Sequence, residues 1–214
     1  MRFWTTSMSL SKTDAIELVK QIQKRLGLVT DGIMGPKTLT AMHRALCGEA
    51  QGRLPEVPKG DRVDDRSERN IATLIPALQP IARELVRRCV KAGWWVKVIC
   101  GTRTYAEQEE LYAKGRTEPG KIVTNARAGH SMHNFGLAFD IGIFDGTTYI
   151  PDGLGYKAAG LIGRDLGLVW GGDFKSIHDE PHFEIHPKWA YSLTSREMLE
   201  RLRKMQADGK EITI

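Results

Sequence analysis

Apolar residues recur at helical spacing near the start of the chain. They fall at Ile16, Val19, Ile22 and Leu26. Steps of three and four residues place these side chains on one face, which predicts an amphipathic helix over residues 13–26. Gly27 predicts the end of that helix. The turn dipeptides at residues 31–36 then predict a tight connection to a second short helix that begins at Pro36.

Residues 48–67 interrupt this periodicity. Glycine, proline and charged residues dominate the segment, and apolar residues are too few to form a buried face. This composition is typical of a linker. Ser67 is expected to cap a helix that begins near Glu68. The pattern therefore predicts a small helical module over residues 1–47, a linker over residues 48–67, and a larger domain over residues 68–214.

Helical and alternating patterns are mixed in the larger domain, which predicts an α+β fold. The predicted elements are, in order, a helix over residues 80–93, a strand over 94–100, helices over 104–113 and 157–166, and a last helix from residue 194. Two of these helices begin with a Thr-x-x-Glu capping box, at Thr104 and at Thr194. A further strand is predicted from Leu137 onwards, because large apolar residues alternate there with small or acidic ones.

Composition and charge exclude several functional classes. Of the 214 residues, 41% are hydrophobic and 27% are charged, a globular balance that argues against wholesale disorder. No apolar run approaches the roughly 18 residues of a membrane span, so no membrane insertion is expected. The net charge is +5, but the basic residues form no dense run and no known reading motif, so no nucleic-acid partner is expected. The N-terminus lacks the apolar core of a secretory signal, which predicts synthesis in the cytoplasm.

Candidate chemistry first appears in the segment from His133 to Asp140. Along the predicted strand, Asp140 faces away from the large apolar residues and stands between Ala138 and Gly142. A carboxylate buried on that face needs a cation or hydrogen-bond donors. Gly136 is expected to turn the chain so that His133 returns over the same face.

A second group of histidines and acids lies at residues 179–187. Two prolines bracket a stretch too short for a helix, and its alternation places His182, Glu184 and His186 on one side. If this stretch and the strand with the first carboxylate are adjacent, two imidazoles and one carboxylate form a three-ligand set. Such a set leaves one position open, as catalytic zinc requires.

Several roles in this second group stay open on spacing alone. Asp179 or Glu180 would supply the general base beside a zinc site, and the HExxH helix of other zinc peptidases is absent. A histidine on a strand is also commonly a surface or hydrogen-bonded core residue. Glu184 either orients a ligand from behind or is a solvated strand residue, and His130 and His186 receive no role.

Two motifs resemble the metal signature of the LAS-type, VanY-like zinc peptidases. They are Ser-x-His-x-x-Gly-x-Ala-x-Asp at residues 131–140 and Asp-x-x-His at residues 179–182. Supporting motifs at residues 101–108 and 170–174 match in the same order, so the similarity covers residues 68–188. The resemblance implies a small antiparallel sheet with flanking helices that carries one zinc ion per chain.

The same resemblance implies a role for each site residue. The implied zinc ligands are His133, Asp140 and His182, and the implied catalytic base is Asp179. Arg103 is implied to face the substrate carbonyl or carboxylate, and its position just after strand 94–100 suits stabilisation of an oxyanion. The implied substrate-binding positions are Ser131 and Gln108, with Trp170 either in the cleft wall or in the core.

The N-terminal module resembles the peptidoglycan-binding helical repeat that is fused to many cell-wall hydrolases. The resemblance covers residues 12–47 and is carried by Asp-Gly-x-x-Gly-Pro-x-Thr at residues 31–38. It implies that this module binds the cell wall and takes no part in the chemistry. A generic helical hairpin is the alternative.

Together these features predict a zinc-dependent peptidoglycan peptidase. The resemblance implies an endolysin that hydrolyses the L-alanyl-D-glutamate bond of stem peptides to lyse a bacterial host, because phage endolysins combine such modules in chains of this size. The enzyme is then expected to act on the cell wall after release from the host cytoplasm. We expect a monomer whose partner is peptidoglycan. The alternatives are a D-alanyl-D-alanine carboxypeptidase and a non-catalytic, zinc-containing wall-binding protein.

Overall fold

The computed structural model describes residues 12–35, 37–39, 41–42, 58, 60–175 and 178–214. The chain divides into two units, Met1–Arg53 and Leu54–Ile214. Most of the predicted linker and the last residues of the predicted N-terminal module lie outside the described residues. Within the described part of the chain, no helix is both long enough and apolar enough to cross a membrane.

In the N-terminal unit, a buried glutamine holds the turn that follows the first helix. The helical residues are Lys12–Arg25 (α1), 37–39 and 41–42. Gln23 is 2% exposed, and its amide nitrogen donates to Asp31 Oδ1 at 2.7 Å and to Thr38 Oγ1 at 2.9 Å. Its amide oxygen accepts from the backbone N–H of Gly32 at 2.9 Å. The Asp-Gly and Thr positions of the N-terminal motif therefore stabilise the turn through one buried amide.

The second unit is an α+β domain with one antiparallel sheet, as predicted. Its helices are Asp65–Ile71 (α2), Gln79–Lys91 (α3), Tyr105–Ala113 (α4), Leu154–Asp165 (α5) and Ser195–Ala207 (α6). Its strands are Trp95–Cys100 (β1), Ala138–Asp145 (β2), Thr148–Ile150 (β3), Val169–Trp170 (β4) and His182–Glu184 (β5). Short 3₁₀ helices lie at Met132–Phe135, Gly171–Asp173 and Lys188–Ala190. The strand order is β1-β2-β5-β4, and β3 also pairs with β2.

Local capping signals set the starts of two helices where they were predicted. Thr104 accepts from the backbone N–H of Glu107, and the Glu107 carboxylate accepts from the backbone N–H of Thr104. The same reciprocal pair joins Thr194 and Glu197 at the start of α6. Each capping box satisfies backbone donors that the start of a helix leaves free. The predicted starts of α4 and α6 are confirmed.

The start of α2 differs from the prediction. The helix begins at Asp65 rather than near Glu68, because Asp64 caps it by accepting from the backbone N–H of Ser67 at 3.1 Å. Ser67 is fully buried inside the helix, where its hydroxyl accepts from the backbone N–H of Val98 in β1 at 2.8 Å. Ser67 therefore joins α2 to the sheet, and the last residues of the predicted linker belong to the folded domain.

The region between β2 and α5 also differs from the prediction. β3 was not predicted, and it pairs antiparallel with the end of β2. α5 begins at Leu154, three residues before the predicted start at 157. Gly153 precedes it with a φ of 114°, a conformation that suits glycine and turns the chain into the helix.

One face of the sheet is buried against α3 and α5. Phe139 of β2 and Phe183 of β5 are fully buried and paired in register, with their ring centroids 5.8 Å apart. Gly163 lets α5 approach this pair, since a Cβ there would lie 2.3 Å from the ring of Phe183. The opposite face of β2 and β5 is left for polar side chains.

Candidate metal centre and catalytic cleft

The pairing of β2 with β5 brings a carboxylate and an imidazole together. Asp140 lies opposite His182, next to the buried pair of Phe139 and Phe183. Successive side chains of a strand alternate between the two faces of a sheet. Because the phenylalanines occupy the core face, Asp140 and His182 occupy the other. The prediction that this carboxylate and this imidazole come from adjacent strands is confirmed.

A short helix and a glycine turn bring His133 over the same face. His133 lies in the 3₁₀ helix Met132–Phe135, and the side chain of Ser131 caps that helix. Gly136 follows with φ 68° and ψ 18°, a left-handed conformation that other residues adopt only at a cost. A Cβ at this position would lie 3.1 Å from the backbone nitrogen of Ile75. The predicted turn at Gly136 is confirmed.

Three potential ligand atoms form a nearly equilateral triangle. Asp140 Oδ1 lies 3.1 Å from His133 Nε2 and 3.1 Å from His182 Nδ1, and the two nitrogens are 3.2 Å apart. A tetrahedral zinc ion with bonds of about 2.0 Å would hold its ligand atoms about 3.3 Å from one another. The spacing fits one such ion with its fourth position open.

The outer nitrogens of both imidazoles face oxygen atoms that can only accept a hydrogen bond. His133 Nδ1 lies 2.7 Å from the carbonyl oxygen of Gly101, and His182 Nε2 lies 2.9 Å from Glu184 Oε2. Each of these nitrogens must therefore carry a proton. The inner nitrogens, His133 Nε2 and His182 Nδ1, then face each other and the Asp140 carboxylate. In metal sites, a hydrogen bond to the outer nitrogen of a histidine likewise orients its inner nitrogen toward the metal. This donor set requires a positive charge at its centre.

Acidic groups around the site favour that positive charge. Burial opposes ionisation of Asp140, but His133 and His182 outweigh it and hold the pKa of Asp140 well below its usual range. Burial also disfavours the charged imidazole of His182, yet hydrogen bonds to Asp140 and Glu184 raise its pKa to about 10. Burial would raise the pKa of Glu184, but hydrogen bonds from His182 and His186 lower it to about 2. A pocket that holds a proton this strongly also suits a divalent cation.

Arg103 contacts the ligand set and also lines the cleft. Its Nη2 donates to Asp140 Oδ2, its Nε donates to Cys100 Sγ at 3.2 Å, and its backbone N–H donates to the carbonyl oxygen of His133 at 3.0 Å. Cys100 Sγ lies within 4.8 Å of the potential ligand atoms of His133 and Asp140. No motif marked Cys100, because its position beside Asp140 arises from the pairing of β1 with β2. Contact of Arg103 with substrate stays a prediction.

Asp179, and not Glu180, has its carboxylate beside the ligands. The potential ligand atoms of Asp179, Asp140 and His182 all lie within 4.8 Å of one another. The backbone N–H of His182 donates to the carbonyl oxygen of Asp179 at 3.0 Å, so a turn returns the residue three positions back. Glu180 is not among the described residues that line the cleft, and its carbonyl oxygen accepts from Trp170 Nε1 at 2.7 Å.

The environment of Asp179 suits a base. Partial enclosure of its carboxyl group and the nearby Asp140 carboxylate raise the pKa of Asp179, against the opposing effects of His182, His133 and Arg103. A carboxyl group with a raised pKa beside potential metal ligands is suited to accept a proton and return it. The role of Asp179 as the general base stays a prediction.

A cleft of about 280 Å³ opens beside the three potential ligands. Its described lining residues are Arg103, Val123, Thr124, Asn125, Ala126, His130, Ser131, Met132, His133, Phe174, Asp179, His182, Glu184, Ser195, Met198 and Leu199. The sequence analysis missed two contributors, the loop over residues 123–126 and helix α6. α6 is fixed over the site by Arg203 Nη1, which donates to the carbonyl oxygen of Gly129 at 2.9 Å. Neither segment carries a catalytic or metal-binding motif.

Gln108 and Trp170 lie behind the cleft and not in its described wall. Gln108 is fully buried, and its Nε2 donates to the carbonyl oxygen of Ala126 at 2.8 Å, so it holds the cleft loop. Trp170 is 6% exposed and packs in the main core, the second of its two predicted locations. Both side chains can affect a substrate only through the segments that they hold. Ser131, in contrast, lines the cleft.

Comparisons with known proteins find similar peptidases. A VanY family model, described as D-alanyl-D-alanine carboxypeptidase, matches residues 72–152, and an M15 peptidase model of the same description matches residues 124–185. Peptidoglycan L-alanyl-D-glutamate endopeptidase CwlK of Bacillus subtilis is 38% identical over 124 residues, 53% of this chain and 74% of that protein. This chain belongs to the VanY-like peptidases. The predicted family and the predicted enzyme class, a metallopeptidase, are confirmed.

A solved structure is also similar to this VanY-like peptidase. The crystal structure of Serratia marcescens L-Ala D-Glu endopeptidase ChiX matches with a TM-score of 0.43 and 23% identity, and the match covers 63% of this chain and 96% of that one. The two family-model matches end at residues 152 and 185, so α6 of the VanY-like peptidase lies beyond both of them. Together the two matches cover Arg103, His133, Asp140, Asp179 and His182.

Proposed function

We propose that this protein is a zinc-dependent peptidoglycan peptidase that hydrolyses the L-alanyl-D-glutamate bond of stem peptides. One observation carries the proposal. The triangle of His133, Asp140 and His182, with edges of 3.1, 3.1 and 3.2 Å, has the carboxylate of Asp179 beside it. The name of the relative CwlK supports the choice of bond.

In the proposed reaction, the metal ion and the side chains of the cleft have separate chemical roles. His133, Asp140 and His182 would hold the zinc ion, which would supply Lewis-acid chemistry for attack of water on a peptide carbonyl. Asp179 accepts the proton of the attacking water and later donates it to the leaving amine. Arg103, in the cleft wall, stabilises the negative charge that develops on the carbonyl oxygen.

We further propose that the N-terminal unit binds the cell wall and that the protein is a phage endolysin acting on the wall of its host. The Asp-Gly-x-x-Gly-Pro-x-Thr motif supports the binding role, and its turn is held by Gln23. Binding of a second part of the chain to the same polymer raises the local concentration of the peptidase at its substrate.

Digestion of purified sacculi tests the proposal. New D-glutamate amino termini, identified by mass spectrometry, are expected from the parent protein, and the Asp179→Asn variant should produce almost none. An intact parent protein that binds zinc but releases no product would contradict the proposed activity.

A D-alanyl-D-alanine carboxypeptidase is the second candidate, because both matching family models carry that description. The same ligand set and base would serve that reaction. Free D-alanine without new D-glutamate termini would identify it in the same digestion.

A further inference from the structure

A chain of hydrogen bonds leads from a potential metal ligand to the protein surface. His182 Nε2 lies 2.9 Å from Glu184 Oε2, and Glu184 Oε1 lies 2.7 Å from His186 Nε2. Each oxygen of one carboxylate is therefore occupied by a different imidazole. The exposed fraction of the side chains rises along the chain, from 9% for His182 and 12% for Glu184 to 32% for His186.

The backbone holds this chain of hydrogen bonds in place. His182 and Glu184 are two residues apart in β5, so they share one face of the sheet. Beyond the strand, the backbone N–H of Ile185 donates to the carbonyl oxygen of Leu137 at 2.9 Å, which continues the contact with the neighbouring chain segment. Pro187 restricts the residue before it to an extended conformation. His186 follows Glu184 by two residues, so in this extended segment both side chains lie on the same side of the backbone.

His186 removes the rotational freedom of the Glu184 carboxylate. A buried carboxylate with only one partner could turn about its terminal bond and would leave an oxygen without a donor, which is costly. With an imidazole on each oxygen, the plane of the carboxylate is fixed. The ring of His182 is then fixed as well, because its Nε2–H must meet a stationary oxygen. Groups that hold a metal-binding histidine from behind set its orientation and raise its basicity.

We propose that His186 is a positioning residue of the metal centre, which acts through Glu184 to hold His182 in the tautomer and orientation that bind zinc. This inference rests on the proposed zinc site, and it assigns a role to a residue that is not itself among the described lining residues of the cleft. The sequence analysis left His186 without a role and left Glu184 undecided.

Zinc affinity of the full-length protein, measured by competition with a chromophoric chelator, tests the proposal. Glu184→Ala should raise the zinc dissociation constant by about 10–100-fold, the usual effect of losing such a partner. His186→Ala should raise it by roughly 3–10-fold, at the lower end because Glu184 remains. His186→Gln keeps an N–H donor and should restore affinity to within about threefold of the parent. His178→Ala, a change at an exposed histidine outside this chain of bonds, should leave the dissociation constant unchanged.

The double variant separates an indirect effect from a direct one. If His186 acts only through Glu184, then Glu184→Ala with His186→Ala should bind zinc no more weakly than Glu184→Ala alone. The proposal would be overturned if the increases in the zinc dissociation constant multiplied in the double variant. It would also be overturned if His186→Ala bound zinc as tightly as the parent. Circular dichroism of each zinc-free variant checks that it is folded, and rescue by His186→Gln argues against a general loss of structure.

The outcome for the parent protein keeps this inference distinct from the proposed function. A parent that binds no zinc would overturn both. A parent that binds zinc and digests sacculi, with His186→Ala equal to it in zinc affinity, would overturn only the role of His186. Zinc binding without digestion, together with weakened binding in His186→Ala, would support the role of His186 and overturn the proposed activity.

Discussion

Asp140 and His182 face each other across the β2–β5 ladder, and Asp140 uses its two oxygens differently. One oxygen lies 3.1 Å from a nitrogen of His182 and of His133, and the other accepts from Arg103. A single carboxylate therefore joins the potential metal ligands to the guanidinium group of the cleft wall. The position of Arg103 is thus coupled to the state of the metal site.

Removal of the metal should abolish hydrolysis. The inner nitrogens of His133 and His182 are 3.2 Å apart and need a positive charge between them. A strong chelator should therefore stop the loss of turbidity of permeabilised Gram-negative cells, and added zinc should restore it. Zinc at about 100 times its dissociation constant should also raise the free energy of unfolding by about 2.7 kcal/mol. Full activity at a measured metal content of zero would exclude this mechanism.

The Asp179→Asn variant should lose activity without losing zinc. The amide keeps the shape of the side chain but cannot accept the proton of the attacking water, so the rate should fall by roughly 10²–10⁴-fold. Glu180→Gln is the matched control, and its rate should stay within about tenfold of the parent, which is about 1.4 kcal/mol or less. Rates on a defined muropeptide, with zinc content measured for each variant, decide the assignment. An inactive Glu180→Gln beside an active Asp179→Asn would transfer the role of base to Glu180.

The Gly136→Ala variant should weaken both the fold and the metal site. Its φ of 68° costs an alanine about 1–2 kcal/mol, and the new Cβ would also lie 3.1 Å from the backbone nitrogen of Ile75. Gly146→Ala is the matched control, since its φ is 59° but nothing lies within 4 Å of the added atom. Urea unfolding should show the larger loss for Gly136→Ala, and only this variant should bind zinc more weakly. Equal losses in both measurements would mean that crowding at Gly136 is unimportant.

The ion pair of Glu68 with Arg83 should stabilise the domain in a pH-dependent way. The side chains are 6% and 22% exposed and 2.9 Å apart, and hydrogen bonding from Arg83 is the main cause that lowers the pKa of Glu68 in the folded protein. The stabilisation is therefore complete above the ordinary glutamate pKa of about 4.3. It is lost as the pH falls through the lowered pKa of the folded state.

Glu68→Gln should accordingly lower the free energy of unfolding by about 1–3 kcal/mol at pH 7. The difference from the parent should shrink below about pH 4. Glu200→Gln is the control, because its ion pair with Arg196 is largely exposed, with side chains 52% and 87% exposed. Urea unfolding at several pH values measures both variants. A constant difference for Glu68→Gln from pH 7 down to pH 3 would show that its charge is not the cause.

Removal of the N-terminal unit should reduce binding to the wall and leave the chemistry intact. All residues proposed for catalysis lie in the unit Leu54–Ile214. A chain that begins at Pro58 keeps the backbone carbonyl of Gly60, which accepts from Arg87 Nη2 at 2.9 Å. It should cleave small muropeptides at the parent rate but bind and digest sacculi more weakly. Sedimentation with sacculi measures the binding, and equal affinity for the two chains would exclude the binding role.

The sequence predicted the parts of the site that depend on local pattern. The alternation after Leu137 was enough to place Asp140 away from the core, and Gly136 was enough to predict the return of His133. Spacing alone left Asp179 and Glu180 as alternatives for the base, because ideal strand alternation favours Glu180 and Pro181 disrupts that alternation. The family motif favoured Asp179, whose carbonyl oxygen accepts from the backbone N–H of His182.

The sequence could not predict contacts between distant segments. Arg203 meets Gly129 across 74 residues, and Gln108 holds Ala126 from within α4. Such contacts depend on how the elements pack and leave no periodic signal in the chain. The start of α2 was missed for a different reason, because Asp64 and Ser67 are both suitable capping residues. Asp64 caps the helix, and Ser67 is buried against Val98 of β1 instead.

Helix α6 extends the described cleft beyond the region that the two family models match. The two family-model matches end at residues 152 and 185, yet Ser195, Met198 and Leu199 line the cleft. A minimal peptidase trimmed to the matched region would therefore have a cleft open to solvent along one side. Attachment of a fusion partner must leave α6 seated on Gly129. Substitutions on α6 offer a way to alter substrate preference while the potential metal ligands stay untouched.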